Sequence, residues 1–182
     1  MENFSDMMAE GMVESSRFVD TEHQYPSLEK VKVDDGVIAE WFYPAMNGQS
    51  DVSELKAILT YTTQNIVHEE IGNLILGVSF VEMQHYDKLS ELIHKLGGRL
   101  RGAPNKITVE AGETVQDALK AAISSEQASI DFYNGIKERL QEVTETATVK
   151  VVAQLMDKLI GDETIHLELF NKKSQEYEKT SD

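Results

Sequence analysis

Two stretches of the sequence place a glutamate and a histidine where their own apolar stripe calls for a leucine. From Ile71 the 3-4 spacing runs through Ile75, Val78, Glu82, His85, Leu89, Leu92 and Leu96. From Val149 it runs through Val152, Met156, Leu159, Glu163, His166 and Phe170. Both are amphipathic helices by period. A carboxylate turned into a helical core is strongly destabilising unless a positive charge meets it there. A metal ion held by carboxylate and imidazole would supply that charge. A third stripe, Val115, Leu119, Ala122, Glu126, Ser129, Tyr133, Ile136 and Leu140, carries the same anomaly at Glu126. A fourth offers Glu54, then Ala57, Ile58 and Tyr61. Four inward glutamates and two inward histidines therefore lie on four helical patterns.

The elements that must position these six residues are helices. The chain has 182 residues with only three prolines and eleven glycines, long Leu/Ile/Val/Ala/Glu/Lys/Gln runs and no sustained alternation of period two. An all-α chain follows. The helical patterns run from about Asp51 to Ile66, Glu69 to Leu96, Thr114 to Glu142 and Ala147 to Lys172, and Gly97-Gly98 closes the second. Residues 1–33 read as an acidic extension whose role is not legible. Residues 34–50 hold a short helix or turn, Val37 to Met46, expected to stop at Pro44. Residues 51–172 form the bundle, and 173–182 read as a solvated polar tail.

Composition narrows the chemistry. Cysteine is absent, which removes disulfides, thiolate zinc sites, iron–sulfur clusters and a rubredoxin-type iron site. Seventeen basic against thirty-two acidic residues give a net charge of −15, which repels nucleic acid and anionic lipid and suits either solubility or the steering of cations. The N-terminal residues lack a basic, then apolar, signal pattern, and no run of apolar residues is long enough to span a membrane. A soluble, cytoplasmic protein with neither nucleic-acid nor membrane partners is expected.

The sequence also tests whether the six residues can meet. In an antiparallel helical hairpin, two residues are level when the turn lies midway between them. The midpoint between Glu54 and Glu82 is His68, beside the polar break His68-Glu69-Glu70. The midpoint between Glu126 and Glu163 falls at Thr144-Glu145, inside the threonine-rich break Val143 to Thr148. The connection from Gly97 to Glu113 can extend to about 55 Å. It needs to carry the chain back along roughly 21 Å of one helix and 18 Å of the next to bring the hairpins level. An up-down-down-up bundle with one long crossover is predicted. Each half repeats the other. Glu54 is followed seven residues later by Tyr61 and then by Glu82-Met83-Gln84-His85, and Glu126 is followed seven later by Tyr133 and then by Glu163-Thr164-Ile165-His166.

This order, Glu, Glu-x-x-His, Glu, Glu-x-x-His on four helices, resembles the ferritin-like di-metal carboxylate proteins, among them bacterioferritin and rubrerythrin. The resemblance covers Asp51 to about Lys172. The strings Ser53-Glu54-Leu55-x-Ala57-Ile58 and Val81-Glu82-Met83-x-His85, ending in Leu96-Gly97-Gly98, are similar to small bacterial relatives near the spore-coat manganese catalases and rubrerythrins. The resemblance implies a ferritin-like four-helix bundle in which Glu54 and His85 bind one metal and Glu126 and His166 the other, with Glu82 and Glu163 bridging. It implies two metal ions per chain, iron first and manganese as the alternative. The expected activity is that of a peroxidase or ferroxidase acting on hydrogen peroxide or dioxygen. A manganese catalase-like disproportionation, iron storage and a non-catalytic scaffold are the alternatives. Lacking a rubredoxin site, a peroxidase would draw electrons from an external donor or from Fe(II), and a homo-oligomer, dimer or larger, is expected.

Supporting residues are legible too. Tyr61 and Tyr133 share the faces of their glutamates and could hydrogen-bond a ligating carboxylate or simply pack. Asp162, one residue before Glu163, could orient His85. Val81 stands at the matching position before Glu82, so His166 requires a different partner. A third Glu-x-x-His, Glu91 to His94, faces away from the stripe, and His23, His68, Glu69 and Glu70 are expected at the solvated surface.

Overall fold

A computed structural model of the chain describes residues 20–21, 24–32, 36–100 and 106–180. Every regular element among them is helical: α1 (Gly36–Trp41), α2 (Tyr43–Met46), α3 (Glu54–Val67), α4 (Gly72–Lys95), α5 (Val115–Leu140) and α6 (Ala147–Thr180), with 3₁₀ turns at Leu28–Lys30 and Glu69–Ile71. Helix α3 pairs chiefly with α4 and α5 with α6. The fold is a four-helix bundle, as the stripes lead one to expect, with the long connection after α4 as its crossover.

The helix ends are set by local chemistry. Ser53 caps α3, and Thr114 and Asp117 form a reciprocal capping box at the start of α5. Helix α4 closes in a Schellman motif. Gly97 lies at φ 80°, its N–H bonds His94 O at 3.0 Å, and the Gly98 N–H bonds Ile93 O at 2.9 Å. A methyl group on Gly98 would lie 2.8 Å from both Ala39 Cβ and Ile93 Cγ2 and 3.0 Å from the Ile93 carbonyl. Gly98→Ala should therefore lower unfolding stability by about 1–3 kcal/mol through overpacking, measurable as a reduced urea midpoint at unchanged m.

Three local expectations are corrected. Pro44 does not end the short apolar helix; it sits in the first turn of α2, where a missing N–H costs nothing, so the segment becomes two helices. Helix α6 continues past Lys172 to Thr180, because Tyr177 packs on the apolar core and the Gln116 side chain donates to Ser174 and Glu178. His68 is not at the surface. It is 6% exposed, with Nε2 3.1 Å from Ala111 O and 3.3 Å from Gly112 O. The returning crossover covers the α3–α4 turn, and Gln64 holds the same strand of it by donating to Glu110 O at 3.3 Å. His94, Glu69 and Glu70 are exposed as expected, and His23 lies outside the described residues.

Two apolar clusters fill the bundle. One gathers Leu89, Leu92, Ile136, Leu155 and Leu159 with Leu28, Ile38 and Phe42 from the segments before α3. The other gathers Tyr61, Ile75, Val78, Leu119, Ala122 and Phe170. Along α4, α5 and α6 the inward glutamates and histidines fall between these clusters, and Glu54 joins them from the first residue of α3, so among the described residues a polar layer separates the two dry ones. No described helix is long and apolar enough to cross a membrane.

Candidate metal centre

The polar layer is built by one register on each helix. Glu54 opens α3, Glu82 and His85 sit midway along α4 one turn apart, Glu126 lies midway along α5, and Glu163 and His166 repeat the one-turn spacing on α6. None is more than 2% exposed. Ligand atoms of Glu54, Glu82, His85 and Glu163 all lie within 4.8 Å of one another, and so do those of Glu82, Glu126, Glu163 and His166. Glu82 and Glu163 belong to both groups. Each presents one oxygen to each histidine: Glu82 Oε2 is 3.1 Å from His85 Nδ1 and Oε1 3.1 Å from His166 Nδ1. Glu163 Oε1 is 3.3 Å from His85 Nδ1 and Oε2 3.2 Å from His166 Nδ1.

Protons alone do not satisfy this arrangement. His85 Nδ1 also has Glu54 Oε2 at 3.7 Å, and His166 Nδ1 has Glu126 Oε2 at 3.4 Å. Each nitrogen therefore faces three carboxylates with at most one hydrogen to give. Glu82 Oε1 and Glu163 Oε1, both buried, lack a hydrogen bond of acceptable geometry. Buried orphan acceptors converging on an imidazole nitrogen suit a cation better than they suit each other. Four carboxylates and two imidazoles form a hard-to-borderline donor set that fits iron or manganese.

The titration behaviour without a cation has the same cause. Burial, and then the charge on Glu82, push the Glu54 carboxyl up to about 8. Burial, followed by Glu82 and Glu126, raises Glu163 as well. Burial acts on Glu82 in the same sense, but the imidazoles of His85 and His166 outweigh it and hold this carboxyl well below the usual range. The cluster thus keeps some protons at neutral pH because it cannot carry all its negative charge unaided.

The surrounding residues fix these carboxylates and imidazoles in place. Tyr61 donates to Glu126 Oε1 and Tyr133 to Glu54 Oε1, so each tyrosine reaches the glutamate of the opposite hairpin. Both phenols are fully buried, and burial with the neighbouring carboxylate raises their pKa values further. Asp162 Oδ2 lies 3.1 Å from His85 Nε2. With the Nε2 proton donated to that carboxylate, Nδ1 is left with a lone pair aimed at the glutamates.

Other residues at the centre are not singled out by the sequence reading. Lys158, 3% exposed, donates to Asp162 Oδ1 at 3.0 Å and to Asp20. The Thr21 N–H donates to the same Asp162 oxygen at 2.8 Å. The rings of Tyr25 and His85 meet at 71°, with centroids 6.4 Å apart. Lys158 and Asp162, four residues apart beside an inward stripe, were the available signal. Asp20, Thr21 and Tyr25 offered none, since their partners are distant in sequence.

The ferritin-like domain family matches residues 64–175, which include every residue of the layer except Glu54. No curated protein matches the sequence. Among solved structures, the bacterioferritin of Desulfovibrio desulfuricans, whose diiron site was seen in different catalytic states, is 22% identical with a TM-score of 0.68, over 82% of this chain and 84% of that one. The bacterioferritin of Rhodobacter capsulatus, with a metal-free dinuclear site and a heme iron, is 20% identical with a TM-score of 0.67, over 80% and 88%. That of Mycobacterium tuberculosis is 18% identical with a TM-score of 0.66, over 79% and 87%. At such identities the likeness is one of fold, and the family match supplies the rest: this chain belongs to the ferritin-like family.

Proposed function

We propose that the layer binds two metal ions per chain, Glu54 and His85 holding one, Glu126 and His166 the other, with Glu82 and Glu163 shared between them. The protein is then a di-iron carboxylate oxidoreductase acting on hydrogen peroxide or dioxygen. The observation that carries this reading is the division of Glu82 and Glu163, each with one oxygen beside His85 and the other beside His166. A bridging carboxylate has that disposition. Four carboxylate charges are balanced by two divalent cations, which makes the filled layer tolerable between two apolar clusters. The bacterioferritin of Desulfovibrio desulfuricans, with its diiron site, adds weight for iron.

A pair of Fe(II) ions held by these six residues would supply two electrons, one from each ion, for the reduction of peroxide or dioxygen. The chain's own groups do the remaining work. His85 Nε2 holds its proton on Asp162, keeping Nδ1 available as a ligand. Tyr61 and Tyr133 each fix one oxygen of Glu126 and Glu54 and leave the other oxygen free to turn inward. The apolar clusters on either side exclude bulk water from the layer. With no cysteine in the chain, reducing equivalents come from Fe(II) or from a separate donor.

Metal content of protein from its native host, with the assembly size and peroxide turnover of the same sample, tests the reading. About two irons per chain with oxidant-dependent turnover support it. Manganese at that ratio, with peroxide disproportionated in the absence of a donor, replaces it with a catalase-like activity. A large shell loaded with iron far beyond that ratio replaces it with storage. Loading should also release protons. Glu54, protonated at pH 7 because burial and Glu82 raise it to about 8, must ionise to bind. Apparent metal affinity should therefore climb with pH through about 8, and calorimetry in buffers of different ionisation enthalpy should show net proton release.

A further inference from the structure

The mechanism does not use Lys158, an ammonium group buried beside the metal layer. Its partners are Asp20, Thr21 Oγ1 at 3.0 Å, Thr21 O at 3.3 Å and Asp162 Oδ1 at 3.0 Å. It also lies 4.8 Å from the centre of the Tyr25 ring. Asp162 in turn spends its two oxygens on different tasks. Oδ1 accepts from Lys158 and from the Thr21 N–H, and Oδ2 faces His85 Nε2. Gly161 lets the segment come this close, since a methyl group there would stand 3.0 Å from Thr21 Cγ2.

From this geometry we infer that Lys158 is a positioning residue for the metal centre: it clamps the strap Asp20–Thr21 to Asp162 and thereby fixes the His85 ring, tying the N-terminal segment to one of the two metal positions. The inference rests on the two-metal reading above. An unpaired Asp162 would be free to rotate away from His85. With Lys158 and the Thr21 N–H both on Oδ1, rotation about the carboxyl axis breaks two bonds, so Oδ2 stays opposite Nε2. The Tyr25 ring packs against the His85 ring with the two planes 71° apart. The contacts of Lys158 lead through Asp162 to His85 Nε2. The brace therefore acts on the half-centre of His85 and Glu54.

The full chain titrated with cobalt(II), followed by visible absorption, tests this. Wild type should take up two ions. Lys158→Met should weaken one step by about 10–100-fold, as loss of an outer partner of a metal-bound histidine does, and Lys158→Arg should restore most of it. In the His166→Ala background Lys158→Met should still weaken the remaining step; in the His85→Ala background it should change nothing. Asp20→Asn, which loosens the strap but leaves the pair within α6, carries the test should Lys158→Met fail to fold, and it must weaken the same step. Equal weakening of both steps, no weakening, or an effect that persists without His85 overturns the positioning role and leaves the two-metal reading standing. Wild type that binds no cobalt overturns both.

Discussion

Replacing Glu82 with alanine should abolish metal binding at both positions, taking a protein that retains about two ions per chain after desalting to one that retains well under one. Glu82 has an oxygen beside each histidine, so its loss removes a ligand from both groups at once. Glu54→Ala or Glu126→Ala removes a ligand from one group only and should leave one ion bound. The contrast between losing two and losing one is what a shared carboxylate requires, and elemental analysis of the three variants reads it directly. If Glu82→Ala retains one ion as firmly as Glu54→Ala does, the bridging role is wrong. Glu163→Ala should behave as Glu82→Ala, since its oxygens are divided in the same way.

The second large effect concerns stability and runs opposite to intuition. In metal-free protein, Glu54→Gln should stabilise the fold by roughly 3 kcal/mol at pH 7 and roughly 5 kcal/mol above pH 8. The sign follows from proton linkage. The Glu54 carboxyl has an ordinary value of 4.5 and is raised to about 8 in the folded chain, by burial and then by Glu82. Between those values the folded state binds the proton and the unfolded state does not, so wild-type stability falls as pH rises from about 4.5 to about 8. Glutamine keeps an acceptor for Tyr133 and carries no charge to bury. Its metal-free stability should be flatter over that window, as read from denaturant midpoints at several pH values. Metal reverses the order. A cation that binds only the folded wild type adds about 4 kcal/mol at a thousandfold excess over its dissociation constant, and the glutamine variant forfeits much of that gain. An unchanged slope with pH in metal-free Glu54→Gln would show that this carboxyl does not hold the excess proton.

The two predictions share a cause: a buried carboxylate cluster that is a liability without a cation and that, on the proposed reading, becomes a ligand set with one. The same feature made it visible in the sequence. Polar residues at 3-4 stripe positions contradict the pattern around them, and local conflicts of this kind are expected at functional sites. His68 shows where that logic stops. It lies at a turn, breaks no stripe, and is buried only because the crossover returns over it.

What the sequence by itself determined is whatever depends on helical period and on distance along the chain. The registers of Glu54, Glu82, His85, Glu126, Glu163 and His166, the two turns, and the need for a long crossover all follow from 3.6 residues per turn and a rise of about 1.5 Å per residue. Tertiary structure alone decided the partners. Tyr61 reaches Glu126 and Tyr133 reaches Glu54 across the bundle, although each shares a helix face with the other glutamate. Asp20, Thr21 and Tyr25 meet Lys158, Asp162 and His85 from an N-terminal segment that shows no period of its own. Periodicity fixes which way a side chain points from its helix, but what it meets depends on how separate helices and an irregular strap pack together. Those long-range contacts leave no regular trace in the order of residues.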